Sequence, residues 1–154
     1  AIVGQFEATT ESGLWGFKDT RVTLTLPFWQ QAIPLLEYVG TYRHPLLVAQ
    51  SLHRRDKMPT DYAVNVWCAY NERLLEIYRH KPFPIICFDL DQAGYLAGID
   101  RIVKALHLPV PDGEIFLDKA LTSSEIEALE TALPHRARAL YTELQQASAA
   151  TTED

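Results

Sequence analysis

The sequence predicts an α/β fold built on a parallel sheet, and three observations carry that expectation. Three short apolar runs, Leu14–Phe17, Tyr38–Tyr42 and Ile85–Phe88, are continuous rather than alternating, as strands covered on both faces are. Each is followed by a segment of helical periodicity, so strand and helix alternate along the chain. Each run also ends in charge: Lys18-Asp19-Thr20-Arg21, Arg43 and Asp89. In open parallel sheets ligands bind beyond the C-terminal strand ends, which makes these three ends the candidate site.

In chain order, Ile2, Val3 and Phe6 read as the tail of a strand or helix, and Thr9–Gly13 as loop. Leu14–Phe17 is the first strand. Pro27-Phe28-Trp29 is expected to open a helix, with Thr25 or Leu26 near its cap, and Pro34 to break it near Ile33. Tyr38–Tyr42 is the second strand, interrupted by Arg43-His44-Pro45. Pro45 suits the first turn of a helix, and Leu46, Leu47, Ala49 and Leu52 share one face of it. Arg43 therefore stands at a strand end beside a helix N-terminus, where an anion is well held, or is an ordinary surface arginine at a turn. Thr60 is expected to cap the longest helix, which runs to His80 with Tyr62, Val66, Trp67, Tyr70, Leu74, Ile77 and Tyr78 as its apolar stripe. Lys81–Pro84 stops it, and Ile85–Phe88 is the third strand. Ala93–Leu108 reads as helix. Thr122 or Ser123 is expected to cap a last helix, broken at Pro134 before Leu140 and Leu144, and the tail from Ala147 to fray.

With 154 residues and 47% hydrophobic content, the chain is read as one domain over 1–146 followed by that tail. A formal net charge of −6 argues against a general nucleic-acid binder, although His53-Arg54-Arg55 is locally basic. Cys68 and Cys87 lie in apolar surroundings without metal-ligand spacing and read as core residues of a reducing compartment. No apolar run has the length of a membrane span, and no signal-peptide pattern opens the chain, so the expected location is cytoplasmic. The five histidines are scattered. No metal site is expected, and His44, the one histidine near the strand ends, is expected to face away from the site.

Several ordered motifs then carry a resemblance. Lys18-Asp19-Thr20-Arg21 with Leu26-Pro27-Phe28-Trp29 resembles a "KDPR … LPFW" element, with Thr20 in place of proline. Arg43-His44-Pro45 with Ser51-Leu52 is similar to "RxP…SL", the serine falling eight residues after the arginine. Trp67–Tyr70 with Leu74-Leu75, Ile86–Asp89 and Leu106–Pro109 resemble the helix, strand and helix end that follow. Together they span Gly16 to about Val110 and resemble the small bacterial members of the sulfotransferase family.

The resemblance implies sulfuryl transfer from 3′-phosphoadenosine 5′-phosphosulfate (PAPS) to a hydroxyl or amine acceptor, without a metal. It implies a P-loop-type, three-layer αβα fold. Arg43 and Ser51 would hold the 3′-phosphate, and Lys18 would offset charge developing on the transferring group. Asp19 is either an acceptor-side base or an ion-pair partner of its basic neighbours, the more frequent role of such a carboxylate. Arg21 and Arg55 are further nucleotide-binding candidates, with ion pairing or a solvated helix end as their plain alternatives. The acceptor is a small molecule, glycan or lipid, met by the loops Asp56–Thr60 and Asp112–Ser123.

The family's 5′-phosphosulfate loop, of the form "SGT", has no counterpart in these residues. The loop and its central strand are expected upstream of Lys18. The chain, which opens on Ala1, is therefore expected to be a C-terminal portion whose missing strand a longer chain or a second chain supplies. The alternative is a catalytically inactive nucleotide-binding or protein-interaction module derived from the same fold. A kinase relative would need GxxxxGK[ST], which is absent.

Overall fold

The computed structural model of the protein describes residues 14–110 and 133–150. The fold is mixed α/β and mostly helical, with five helices and one two-stranded parallel sheet among the described residues. The chain divides into two units, Ala1–Glu37 and Tyr38–Asp154.

In the first unit Leu14–Phe17 is not a strand. A strand persists through a ladder partner, and none of the described residues of this unit forms one. The aromatic rings associate instead. Trp15 and Phe17 stack at 6.2 Å, and Phe17 meets Trp29 at 4.6 Å. Helix α1 spans Val22–Ala32 and starts five residues before the expected Pro27. The cause is polar rather than apolar. Asp19 accepts the Arg21 N–H through its side chain (2.8 Å) and the Val22 N–H through its carbonyl (3.1 Å), while Thr23 Oγ1 donates to the Thr20 carbonyl. Pro27 thus sits inside α1, where the missing N–H and ring clash cost about 3 kcal/mol. The end falls as expected: Pro34 holds Ile33 in extended geometry, and α1 stops at Ala32.

The second unit starts with strand β1, Gly40–Tyr42, followed by helices α2, Pro45–Asp56, and α3, Thr60–His80. Strand β2, Ile85–Cys87, then returns parallel beside β1, with Gly40 opposite Ile85 and Tyr42 opposite Cys87. Gly40 is required by that approach. A Cβ there would lie 2.9 Å from Ile85 Cγ1 and 3.1 Å from Phe83 Cε2, both buried. Pro45 occupies the first position of α2 as expected, and Pro59 rather than Thr60 precedes α3.

The buried face of α3 is turned from the expected stripe. Ala63, Val64, Trp67, Cys68, Asn71 and Leu75 are inside, whereas Tyr62 is 59% exposed. Helix α3 packs against both α2 and the C-terminal helix α5, His135–Ala150. Small residues, Ala63 and Cys68, let the backbones approach where larger ones would hold them apart. Helix α5 contributes Ala137, Tyr141, Leu144 and Ala147 to the core, and Ser148 Oγ donates to the Ile85 carbonyl at 2.8 Å. The helix therefore continues past Ala147 to Ala150 instead of fraying there, because Ala147 is buried.

Helix α4, Gln92–Ala105, covers the opposite face of β2: Gly98 lies over Ile86, so closely that a Cβ would stand 2.5 Å from Ile86 Cδ1. Helices thus flank the sheet on both faces. Helix α4 ends three residues before the expected Leu108. His107 adopts a left-handed conformation (φ 51), and the Leu108 and His107 N–H groups bond back to the Val103 and Lys104 carbonyls. The segments Ala1–Gly13 and Asp112–Ser123, and the helix start expected at Thr122 or Ser123, lie outside the described residues.

Candidate functional site

The parallel pairing of β1 and β2 brings two strand ends side by side. The ladder extends one bond further, from Phe88 N–H to the Tyr42 carbonyl at 2.9 Å, so the chains leave the sheet together. The next residues are Arg43 on one strand and Asp89 on the other, 46 residues apart in sequence. Arg43 Nε donates to Asp89 Oδ1 at 2.6 Å, and Asp89 Oδ2 accepts the His44 N–H at 2.6 Å. The Asp89 side chain is fully buried and that of Arg43 is 26% exposed. Phe88 supplies a second contact, its ring centroid 5.3 Å from the Arg43 guanidinium carbon. The Arg43 carbonyl accepts Trp67 Nε1–H at 2.9 Å, which ties the strand end to α3.

His44 is buried and turned inward. Its Nδ1 accepts the Leu46 N–H at 3.3 Å, capping α2, and its ring meets Tyr141 edge to face at 5.0 Å. The capping changes how the helix terminus is used. Pro45 has no N–H, the Leu46 N–H goes to His44 Nδ1 and the Val48 N–H to the His44 carbonyl. The N-terminus of α2 therefore has little left for an anion, and recognition falls on side chains. Beneath the site Tyr42, Cys87 and Tyr141 form a buried polar cluster. Burial, with the Cys87 thiol alongside, pushes the Tyr42 phenol far up, and burial likewise raises the Cys87 thiol.

Ser51 is exposed on α2, about 9 Å along the axis from Pro45 at 1.5 Å per residue. Arg55 is one turn further, about 15 Å from the helix start, and pairs with the neighbouring Asp56 through Nε and Nη2 at 2.7–3.0 Å. The structure thus places Arg43 two residues before α2, Ser51 midway along the helix and Arg55 at its far end.

In the first unit Lys18 is exposed. Asp19 and Arg21 engage each other: Nη2 donates to Oδ2 at 2.6 Å and Nε to Oδ1 at 3.0 Å, with the Arg21 backbone N–H also on Oδ1. These bonds, the side-chain ones foremost, lower the Asp19 carboxyl from 3.8 to about 2. A carboxylate held there is a weak base, and the geometry is that of an ion pair.

The arginine was visible in sequence; its partners were not. In sequence Asp89 is only a charge at a strand end, and nothing local marks His44 as the cap of α2. The available signal was register: Arg43 and Asp89 follow equivalent positions of two adjacent parallel strands. Among the described residues no group of His, Cys, Asp and Glu has the arrangement of a metal site, and no helix is long and apolar enough to cross a membrane. Compared with family models, with curated proteins and with solved structures, the chain finds no match.

Proposed function

We propose that this chain supplies the 3′-phosphate side of a PAPS-dependent sulfotransferase site on a P-loop-type αβα sheet. The observation that carries the reading is Arg43, partly exposed at the C-terminal end of a parallel strand and followed by a helix that exposes Ser51. A guanidinium binds a phosphate through two parallel N–H donors, and a serine hydroxyl adds a third. The helices on both faces of β1 and β2 support the layered architecture. In the transfer step the acceptor oxygen or nitrogen bonds to sulfur as the bond from sulfur to the 5′-phosphate oxygen breaks; the acceptor proton passes to solvent and adenosine 3′,5′-bisphosphate leaves. On the resemblance alone, the role of offsetting the charge gathering on that oxygen falls to Lys18. The acceptor is a hydroxyl or amine of a small molecule, glycan or lipid, the setting is cytoplasmic, and a further segment or chain supplies the 5′-phosphosulfate loop.

An NMR titration with adenosine 3′,5′-bisphosphate, against adenosine 5′-monophosphate, tests the reading. The expected result is weak binding that requires the 3′-phosphate and falls about tenfold in Arg43→Lys, which keeps a charge for Asp89 but loses the planar fork. Equal binding of the two nucleotides, or an unchanged Arg43→Lys, sinks it.

A second reading, an inactive nucleotide-binding or protein-interaction module of the same descent, is favoured by one feature. The charged groups are engaged within the protein, Asp19 with Arg21 and Asp89 with Arg43. Bisphosphate binding without any transfer from PAPS to an acceptor would select it.

A further inference from the structure

We propose that Asp89 is a positioning residue that fixes the plane of the Arg43 guanidinium and so sets which phosphate isomer the site accepts; this rests on the nucleotide reading above. A carboxylate beside an anion site is at first sight a liability, since its charge opposes the ligand. Asp89 is nevertheless fully buried, with one oxygen on Arg43 Nε and the other on the His44 backbone N–H, both at 2.6 Å. That second bond anchors the carboxylate to the backbone, so it cannot swing with the arginine. Phe88, the preceding residue, lies against the guanidinium at 5.3 Å. The arginine is thus held on its Nε edge by Asp89 and stands over the Phe88 ring. The pair Arg43–Asp89 is also neutral as a unit. Discrimination among anions here follows geometry more than net charge.

Two isomers of equal charge separate geometry from charge: adenosine 3′,5′-bisphosphate and adenosine 2′,5′-bisphosphate. Because the two carry equal charge, most of any change in Coulomb energy on altering Asp89 is common to both and drops out of the ratio of their affinities. We expect the wild-type chain to prefer the 3′ isomer by about tenfold, the worth of one well-placed charge-assisted hydrogen bond. In Asp89→Asn, where the amide cannot accept from both Arg43 and His44, that ratio falls toward one even if absolute affinity rises. Phe88→Leu lowers the ratio less, and serves as the test should Asp89→Asn not fold by circular dichroism. A folded Asp89→Asn with the wild-type ratio overturns the proposal, as does an unchanged ratio in Phe88→Leu where that variant stands in. A wild type that binds both isomers equally, yet loses both in Arg43→Lys, overturns it while leaving Arg43 an anion site. Wild-type binding indifferent to Arg43→Lys removes the nucleotide reading and this proposal together.

Discussion

At the residue scale, the Arg43–Asp89 pair concentrates both the stability and the chemistry of the strand ends. Removing a carboxylate from a buried pair leaves the arginine and the His44 N–H without their acceptor, at a cost on the order of 3 kcal/mol for a partner still a quarter exposed. The Asp19–Arg21 pair is different: it is exposed and local, so it orders a turn and adds little to global stability. Buried thiols behave differently again. Cys68 and Cys87 are both free and buried, and burial raises both above the usual thiol value. Neither is expected to react with a thiol-specific disulfide reagent in the native state. Labelling followed spectrophotometrically should track unfolding in urea, and rapid labelling of the folded protein would contradict the placement of both residues.

At the element scale, helix ends explain most departures from periodicity. Helix α1 begins early because Asp19 accepts the Arg21 and Val22 N–H groups just ahead of its first turn, a polar signal that outweighs the preference of Pro27 for a first turn. Helix α4 ends early because His107 takes a left-handed conformation that closes the helix with two reversed bonds. Glycine adopts that conformation without the steric cost an L side chain bears. His107→Gly is therefore expected to stabilise the protein by about 1 kcal/mol, after the greater freedom of the unfolded chain is counted. The check is a urea midpoint that moves up at constant m. A lower midpoint would mean the imidazole makes contacts worth more than the strain.

At the scale of the whole molecule, the carboxylates and the buried thiols and phenol should make stability fall at acid and at alkaline pH. Arginine hydrogen bonds hold Asp19, Asp56, Glu72 and Glu76 below their ordinary values of 3.8 and 4.5. A depressed carboxyl stabilises the fold above its unfolded value and loses that contribution as pH falls through its folded one. Burial raises Cys68, Cys87 and Tyr42 from 9.0 and 10.0. Their contribution is complete below those values and is lost as pH climbs past them. From these groups, thermal midpoints should fall along a shallow limb at acid pH, because the four carboxylates are exposed, and fall again above about pH 9. Midpoints that rise above about pH 10 would contradict the burial of Tyr42 and Cys87.

The strand, turn and helix from Tyr38 to Asp56, the long helix Thr60–His80, the strand at Ile85 and the placement of Arg43 at a strand end are legible in the residues alone. These follow from proline geometry, apolar runs and helical periodicity, which are properties of a short window. Tertiary structure decided the rest. Leu14–Phe17 has strand composition yet joins no ladder, because a ladder requires a partner that composition cannot supply. The buried face of α3 takes in Trp67 and Leu75 but also the small residues Ala63 and Cys68, while Tyr62 stays exposed, a choice set by what packs against the helix rather than by hydrophobicity alone. Arg43 was legible as a candidate, but its grip by Asp89 joins residues 46 apart and exists only once β1 and β2 lie parallel in register. Burial of a charge depends on what stands opposite it, and no local stretch of sequence contains both sides.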